Sequence, residues 1–123
     1  MPHLTLEYSA NVSPEGELEN LFASLHRILA EVGGIRIDNC KSRARRCDTF
    51  LVADGGPAAA FVHLDLRFLE GRAPEVKQAV GERVLEALQE FFPASVAGVE
   101  VQVTVEIRDI LRASYFKVPK GTL

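Results

Sequence analysis

The sequence predicts an α/β two-layer sandwich: a duplicated β-α-β pattern folded into one four-stranded mixed sheet, with two helices on one of its faces. Three observations carry that reading. Apolar and polar residues alternate over residues 3–8, 61–69 and 99–107, the period of half-buried strands. Two stretches between them change to the period of an amphipathic helix. The length of 123 residues suits a single domain, 1–123, with halves at about 1–58 and 59–123 and no linker between them. Such a chain can bury a core but is too short for a third layer.

The first strand places Leu4, Leu6 and Tyr8 on one face and His3, Thr5 and Glu7 on the other. Asn11 to Gly16 is a turn, with Ser13 expected as N-cap and Pro14 at the first helical position. Leu18, Leu21, Phe22, Leu25, Ile28, Leu29 and Val32 then form a helical stripe that Gly33-Gly34 ends. Residues 40–52 are expected to form a second strand, bent or bulged, before an Asp54-Gly55-Gly56-Pro57 turn. The third strand turns Val62, Leu64, Leu66 and Phe68 to the core. After Glu70-Gly71-Arg72, Pro74 opens a helix with the stripe Val76, Val80, Val84, Leu88 and Phe91, closed by Pro93. Ala73 stands where a capping side chain would help. The last long strand turns Val99, Val101, Val103, Val105 and Ile107 inward, and Ser114 to Lys117 is read as a short added strand. A helix of ten or more residues supplies the crossover that parallel strands need. The uncovered sheet face, with His3, Thr5, His63, Asp65, Gln102 and Thr104, can be solvated or can pack on copies of itself.

Composition removes several function classes. The net charge of −3 argues against a general nucleic-acid binder, which needs a basic surface. No stretch approaches the ~18 apolar residues of a membrane span, and no basic segment followed by an apolar run marks a secretory signal. Cys40 and Cys47 match no zinc or redox spacing and are read as reduced thiols of a cytoplasmic protein. His3, His26 and His63 match no zinc-ligand spacing either, and neither a nucleophile elbow nor a phosphate-binding glycine loop is present.

The cations are more informative. Lys41-Ser42-Arg43-Ala44-Arg45-Arg46 holds four positive side chains in six residues of an acidic protein. On a strand Lys41, Arg43 and Arg45 share a face. They read as charges guarding an edge strand, as a site for carboxylates, or as a nucleic-acid patch that lacks interleaved aromatics. Arg72 lies between a strand end and a helix start, where binding residues are common, although an isolated turn arginine is usually solvated.

Met1-Pro2 begins the first strand. Initiator methionine is usually trimmed before a small residue, which would leave Pro2 as a free secondary amine. An ordinary α-amino group titrates near ~7.7–8.0. Burial and neighbouring cations lower that value and make a neutral base at physiological pH. Met-Pro starts are also common and inert. An amine base, scattered cations and no metal or nucleotide signature suit proton transfer on an anionic carbon acid.

Met1-Pro2-His3, Cys47-Asp48-Thr49, Ala60-Phe61-Val62-His63-Leu64, Gly71-Arg72 and Phe116-Lys117 together resemble the 5-carboxymethyl-2-hydroxymuconate Δ-isomerase family over nearly the whole chain. The amino-terminal proline and doubled β-α-β layout are similar to the wider tautomerase superfamily. The resemblance implies a homotrimer of two-layer subunits, no cofactor and no metal, and Pro2 as catalytic base. It implies isomerisation of a small unsaturated polycarboxylate from aromatic ring cleavage, through a dienolate held by arginines. Arg72 matches a family arginine directly and Arg43 also matches, whereas Lys41 stands where the family pattern has arginine. Lysine keeps the charge and loses the planar fork. With Phe116, these residues are the substrate-binding set, and Lys41, Arg43 and Arg72 are expected to converge near Pro2. Superfamily decarboxylases and dehalogenases share the proline. A tautomerase-fold binding protein without activity is a further reading. A ferredoxin-like RNA-binding domain shares the element order, but its stacking aromatics are missing here.

Overall fold

Alternation along the chain becomes burial on one side of a sheet. The computed structural model describes residues 1–55, 59–93, 95–96 and 99–119. β1 (His3–Ser9), α1 (Leu18–Gly33) and β2 (Lys41–Cys47) form one β-α-β unit. β3 (Ala59–Leu69) and α2 (Pro74–Phe91) lead, through a two-residue β4 (Ser95–Val96), to β5 (Val99–Ile110), the last strand of the second unit. The sheet order is β2-β1-β3-β5-β4. β1 and β2 are parallel, as are β3 and β5, while β1 and β3 meet antiparallel. The four long strands are those the sequence predicts; β4 adds a short antiparallel hairpin partner for the start of β5.

Leu4 and Leu6 of β1 and Val62, Leu64, Leu66 and Phe68 of β3 are fully buried beneath the helices. They meet Leu21, Leu25, Ile28 and Leu29 of α1 and Val80, Val84 and Leu88 of α2. Full burial of a side chain of this size contributes about 1.5–3 kcal/mol, so this layer dominates the fold. Val101, Val103, Val105 and Ile107 of β5 pack on the same cluster while half-buried. α1 stops where Gly34 adopts φ 66°, a left-handed conformation that glycine takes without a Cβ penalty. Its N–H returns to the Leu29 carbonyl. α2 begins at Pro74 with Ala73 as an uncapped N-cap, as its sequence suggests.

Three local expectations are corrected. α1 does not start at Ser13-Pro14 but at Leu18, because the Glu15 N–H is taken by the Phe91 carbonyl at 2.8 Å and Gly16 turns to φ 131°. β2 ends at Cys47 rather than near residue 52. Its partner β1 ends opposite at Ser9, after which the Ala10 N–H closes on the Cys47 carbonyl at 2.9 Å. Gly56 and Pro57 of the expected following turn lie outside the described residues. Ser114 to Lys117 makes no strand. The chain curls into a 3₁₀ turn at Arg112–Ser114, and its N–H groups bond within the turn, Ser114 to Leu111 and Tyr115 to Arg112.

The uncovered sheet face carries a polar lattice. His63 Nδ1 lies 2.7 Å from Thr104 Oγ1, and Asp65 pairs with Arg67 at 3.2 Å and Arg108 at 3.4 Å. Among the described residues no helix is long and apolar enough to cross a membrane.

Candidate active site

Strand direction decides which residues can meet. Because β1 and β2 run one way and β3 and β5 the other, one edge of the sheet collects two strand starts and two strand ends. A single register row crosses it: Lys41 beside His3, His3 beside Arg67, Arg67 beside Arg108. Beyond that row lie Met1 and Pro2, the β3–α2 turn with Arg72, and the turn after β5 with Arg112.

Met1 and Pro2 are both buried. The Pro2 carbonyl accepts from the Lys41 N–H at 3.1 Å, which extends the β1–β2 ladder to the start of the chain. The free amine in the structure is that of Met1; with Met1 removed, the Pro2 nitrogen would carry it one residue further in. Burial, above all, lowers the amine's pKa from its ordinary 8.0, and the charges of Lys41, Arg72 and Arg112 push the same way. The Cys40 thiol opposes them. Its own pKa is raised by burial.

Arg72 is held from two sides. Its Nε donates to the Gly33 carbonyl at 2.8 Å, and its guanidinium lies over the Phe68 ring, 5.3 Å from the centroid. Gly33 is the last residue of α1, so Arg72 satisfies a carbonyl that has no partner within its helix. Gly71 at φ 116° delivers the side chain there, in a backbone region that L-residues rarely adopt. Lys41 Nζ donates to the Asn39 carbonyl at 3.2 Å and is otherwise exposed.

Arg43 goes elsewhere. It sits beside Thr5, two pairs further along the sheet on the same face as Lys41. Its Nη2 lies 3.0 Å from His3 Nδ1 and its Nη1 3.5 Å from Thr5 Oγ1. Arginine can only donate, so Nδ1 accepts and the neutral ring's N–H is on Nε2, 2.9 Å from Tyr115 Oη. Burial and then the Arg43 charge lower the His3 pKa, which favours that neutral form. This cluster borders a cavity of about 570 Å³ on the uncovered face, lined also by Asp65 and Arg67 and not by Pro2. Of the three cations expected near Pro2, Arg43 engages His3 within the subunit, while the charges of Lys41 and Arg72, and also of Arg112, bear on the amine of Met1. Phe116 is 87% exposed.

Arg112 was not among the residues singled out in the sequence. A cation just after a strand that ends at the same sheet edge is the signal for it, and that signal requires the strand directions. His26 of α1 reaches to β2, with Nε2 2.7 Å from Ser42 Oγ. Among the described residues no group of three or more His, Cys, Asp or Glu side chains is arranged to hold a metal ion.

A buried amine of lowered pKa can accept a proton when neutral, and cations near it can hold the anion that results. Sequence and structure comparisons agree on one family. The family model described as 5-carboxymethyl-2-hydroxymuconate isomerase matches residues 2–119. An Escherichia coli 5-carboxymethyl-2-hydroxymuconate Delta-isomerase is 32% identical over 117 residues, 95% of this chain and 93% of that protein. The crystal structure of a 5-carboxymethyl-2-hydroxymuconate isomerase from Deinococcus radiodurans R1 is 34% identical with a TM-score of 0.83, covering 94% of this chain and 87% of the other. A fused 4-OT protein, described as a wild type symmetric trimer, shares the fold at 16% identity and a TM-score of 0.74, covering 98% and 94%.

Proposed function

The chain belongs to the 5-carboxymethyl-2-hydroxymuconate isomerase family, and on that premise we propose that it shifts a proton on a small unsaturated 2-hydroxy polycarboxylate in aromatic catabolism. Pro2 is the general base once Met1 has been removed. The neutral amine takes a proton from the substrate. Lys41 and Arg72 hold the resulting dienolate and its carboxylates, and the ammonium returns the proton at another carbon. Atoms and electrons balance without a co-reactant. Phe116 is assigned to substrate contact from its place in the family pattern.

The observation that carries this reading is the buried start of the chain, Met1-Pro2, where burial first, and then the charges of Lys41, Arg72 and Arg112, lower the pKa of the amine that Met1 carries in the structure. Lowering an amine's pKa enlarges the neutral fraction that can accept a proton at a given pH. Lysine at position 41 keeps the charge without a bidentate fork, so Lys41→Arg raises turnover if the substrate has the family's carboxylate geometry.

Self-association belongs to the same proposal. The uncovered sheet face and the likeness to a fused symmetric trimer support a homotrimer. Light scattering then gives three times the subunit mass of 13.5 kDa; a monomer removes the trimer.

The test of function is steady-state kinetics on 5-carboxymethyl-2-hydroxymuconate, with intact mass recorded for the same material. Protein beginning at Pro2 turns the substrate over, and Pro2→Ala lowers kcat strongly. Equal rates for the two, or no turnover by protein whose mass lacks Met1, defeats the reading.

A further inference from the structure

Arg112 follows β5 directly and stands exposed at the start of the 3₁₀ turn. That turn is fastened at both ends. The Arg112 backbone N–H donates to the Glu70 carboxylate at 2.8 Å, and the Glu70 N–H donates to the Ile110 carbonyl at 3.0 Å. Glu70 is two residues before Arg72, so these bonds join the two arginine-bearing turns. At the other end Tyr115 Oη meets His3 Nε2 at 2.9 Å, which ties the turn to the first strand beside the amino terminus. The backbone that carries Arg112 is thus fixed on the sheet edge that holds the amine.

The side chain itself is uncommitted. Lys41 Nζ is bonded to Asn39 and Arg72 Nε to Gly33. Among the described residues Arg112 alone of the three makes no side-chain hydrogen bond or ion pair. Its charge nonetheless bears on the amine. A guanidinium with all its N–H groups free can grip a carboxylate by either of its two paired edges. Arg72, with Nε occupied, keeps only its terminal pair.

We propose that Arg112 is the specificity-determining cation of this site, binding the additional carboxylate that distinguishes a tricarboxylate substrate from a dicarboxylate. The inference rests on the isomerase reading above. The charges of Lys41 and Arg72 bear on the amine from the β2 and β3 sides of the edge, and Arg112 adds a cation from the β5 side. Three cations spread around one base match an anion with three carboxylates better than one with two. Effects of Arg112 on the amine's own basicity act on every substrate alike and cancel in a ratio.

The experiment compares wild type, Arg112→Ala and Arg112→Lys on two unsaturated 2-hydroxy acids that differ by one carboxymethyl group. Calorimetric binding of propane-1,2,3-tricarboxylate and pentanedioate, which differ by one carboxylate, runs in parallel. Arg112→Ala keeps the backbone N–H that Glu70 accepts, and thermal unfolding confirms that it folds. The ratio of triacid to diacid kcat/KM falls roughly ten- to a hundredfold in Arg112→Ala, through KM. Arg112→Lys restores part of it, and the calorimetric ratio follows. A loss common to both acids, with the ratio unchanged, overturns the proposal and leaves Arg112 a structural role. If wild type turns over neither acid, the isomerase reading fails, and the calorimetric ratio decides Arg112 alone. An unchanged binding ratio, or no binding of the tricarboxylate, overturns it there too.

Discussion

Arg72→Ala tests how the site is assembled, because one side chain there holds the fold and, on the proposed mechanism, serves the chemistry. The substitution removes the 2.8 Å bond to the Gly33 carbonyl and the guanidinium that covers the Phe68 ring. A net hydrogen bond is worth about 1 kcal/mol, and a partly exposed cation on an aromatic ring about 0.5–1 kcal/mol. The expected loss is about 1–2 kcal/mol, a fall in Tm of several degrees for a chain of this size. The kinetic effect is separate. A charge-assisted contact to substrate is worth about 1.5–3 kcal/mol, roughly ten- to a hundredfold in kcat/KM. If Arg72 is chiefly a carboxylate anchor, that loss appears in KM. The pH profile supplies the discriminating readout. On the proposed mechanism activity needs the neutral amine, so kcat/KM is expected to rise with pH through the amine's pKa, and at Met1 burial first, then the charges of Lys41 and Arg72, lower that value. Removing the charge moves that acid limb upward; Arg72→Lys keeps it low while losing the fork. The assay is kcat/KM against pH for the three proteins, with thermal melts. An Arg72→Ala protein whose limb and kcat/KM overlay those of wild type refutes the assembly described here.

Gly71→Ala meets no steric obstacle but forces an L-residue to φ 116°. It is expected to cost about 1–3 kcal/mol and to weaken substrate binding by displacing Arg72, as read by urea unfolding and KM. Ser9→Ala removes a buried hydroxyl that lies 3.0 Å from the Phe61 N–H and 3.4 Å from its carbonyl. The orphaned strand N–H makes this cost about 1–3 kcal/mol with kinetics unchanged, measured as a fall in the urea midpoint. Acid stability follows from His3 and His26, whose pKa values both lie below 6.5 in the fold. The unfolded chain binds protons first, so stability is full above pH 6.5 and is lost as pH falls through the lowered values. His26→Gln flattens that decline, and an unaltered slope in urea unfolding between pH 7 and 5 refutes the assignment.

Local pattern by itself determined the elements and their faces. The alternation of Leu4 and Leu6 with His3 and Thr5, and of Val62 to Phe68 with its polar neighbours, is a property of adjacent residues. A one-residue slip would have turned the whole apolar set to water. Gly34 and Pro74 mark helix ends for equally local reasons, one a left-handed cap and the other a fixed φ. The start of α1 was different: the bond from Glu15 to Phe91 overrides Ser13-Pro14, and it joins residues 76 positions apart. The site divides the same way. Pro2, Lys41 and Arg72 stand out as residue types, but whether Lys41, Arg43 or Arg112 faces the amine depends on the antiparallel seam between β1 and β3 and on register. Arg43 lies only two residues from Lys41, yet those two steps of the β1–β2 ladder place it beside Thr5 and give it His3 as a partner. Arg112 is distant in sequence, and the end of β5 carries it to the same edge. Periodicity encodes which face a side chain takes, whereas strand direction and pairing encode which end of the sheet it reaches, and those are set only when distant segments meet.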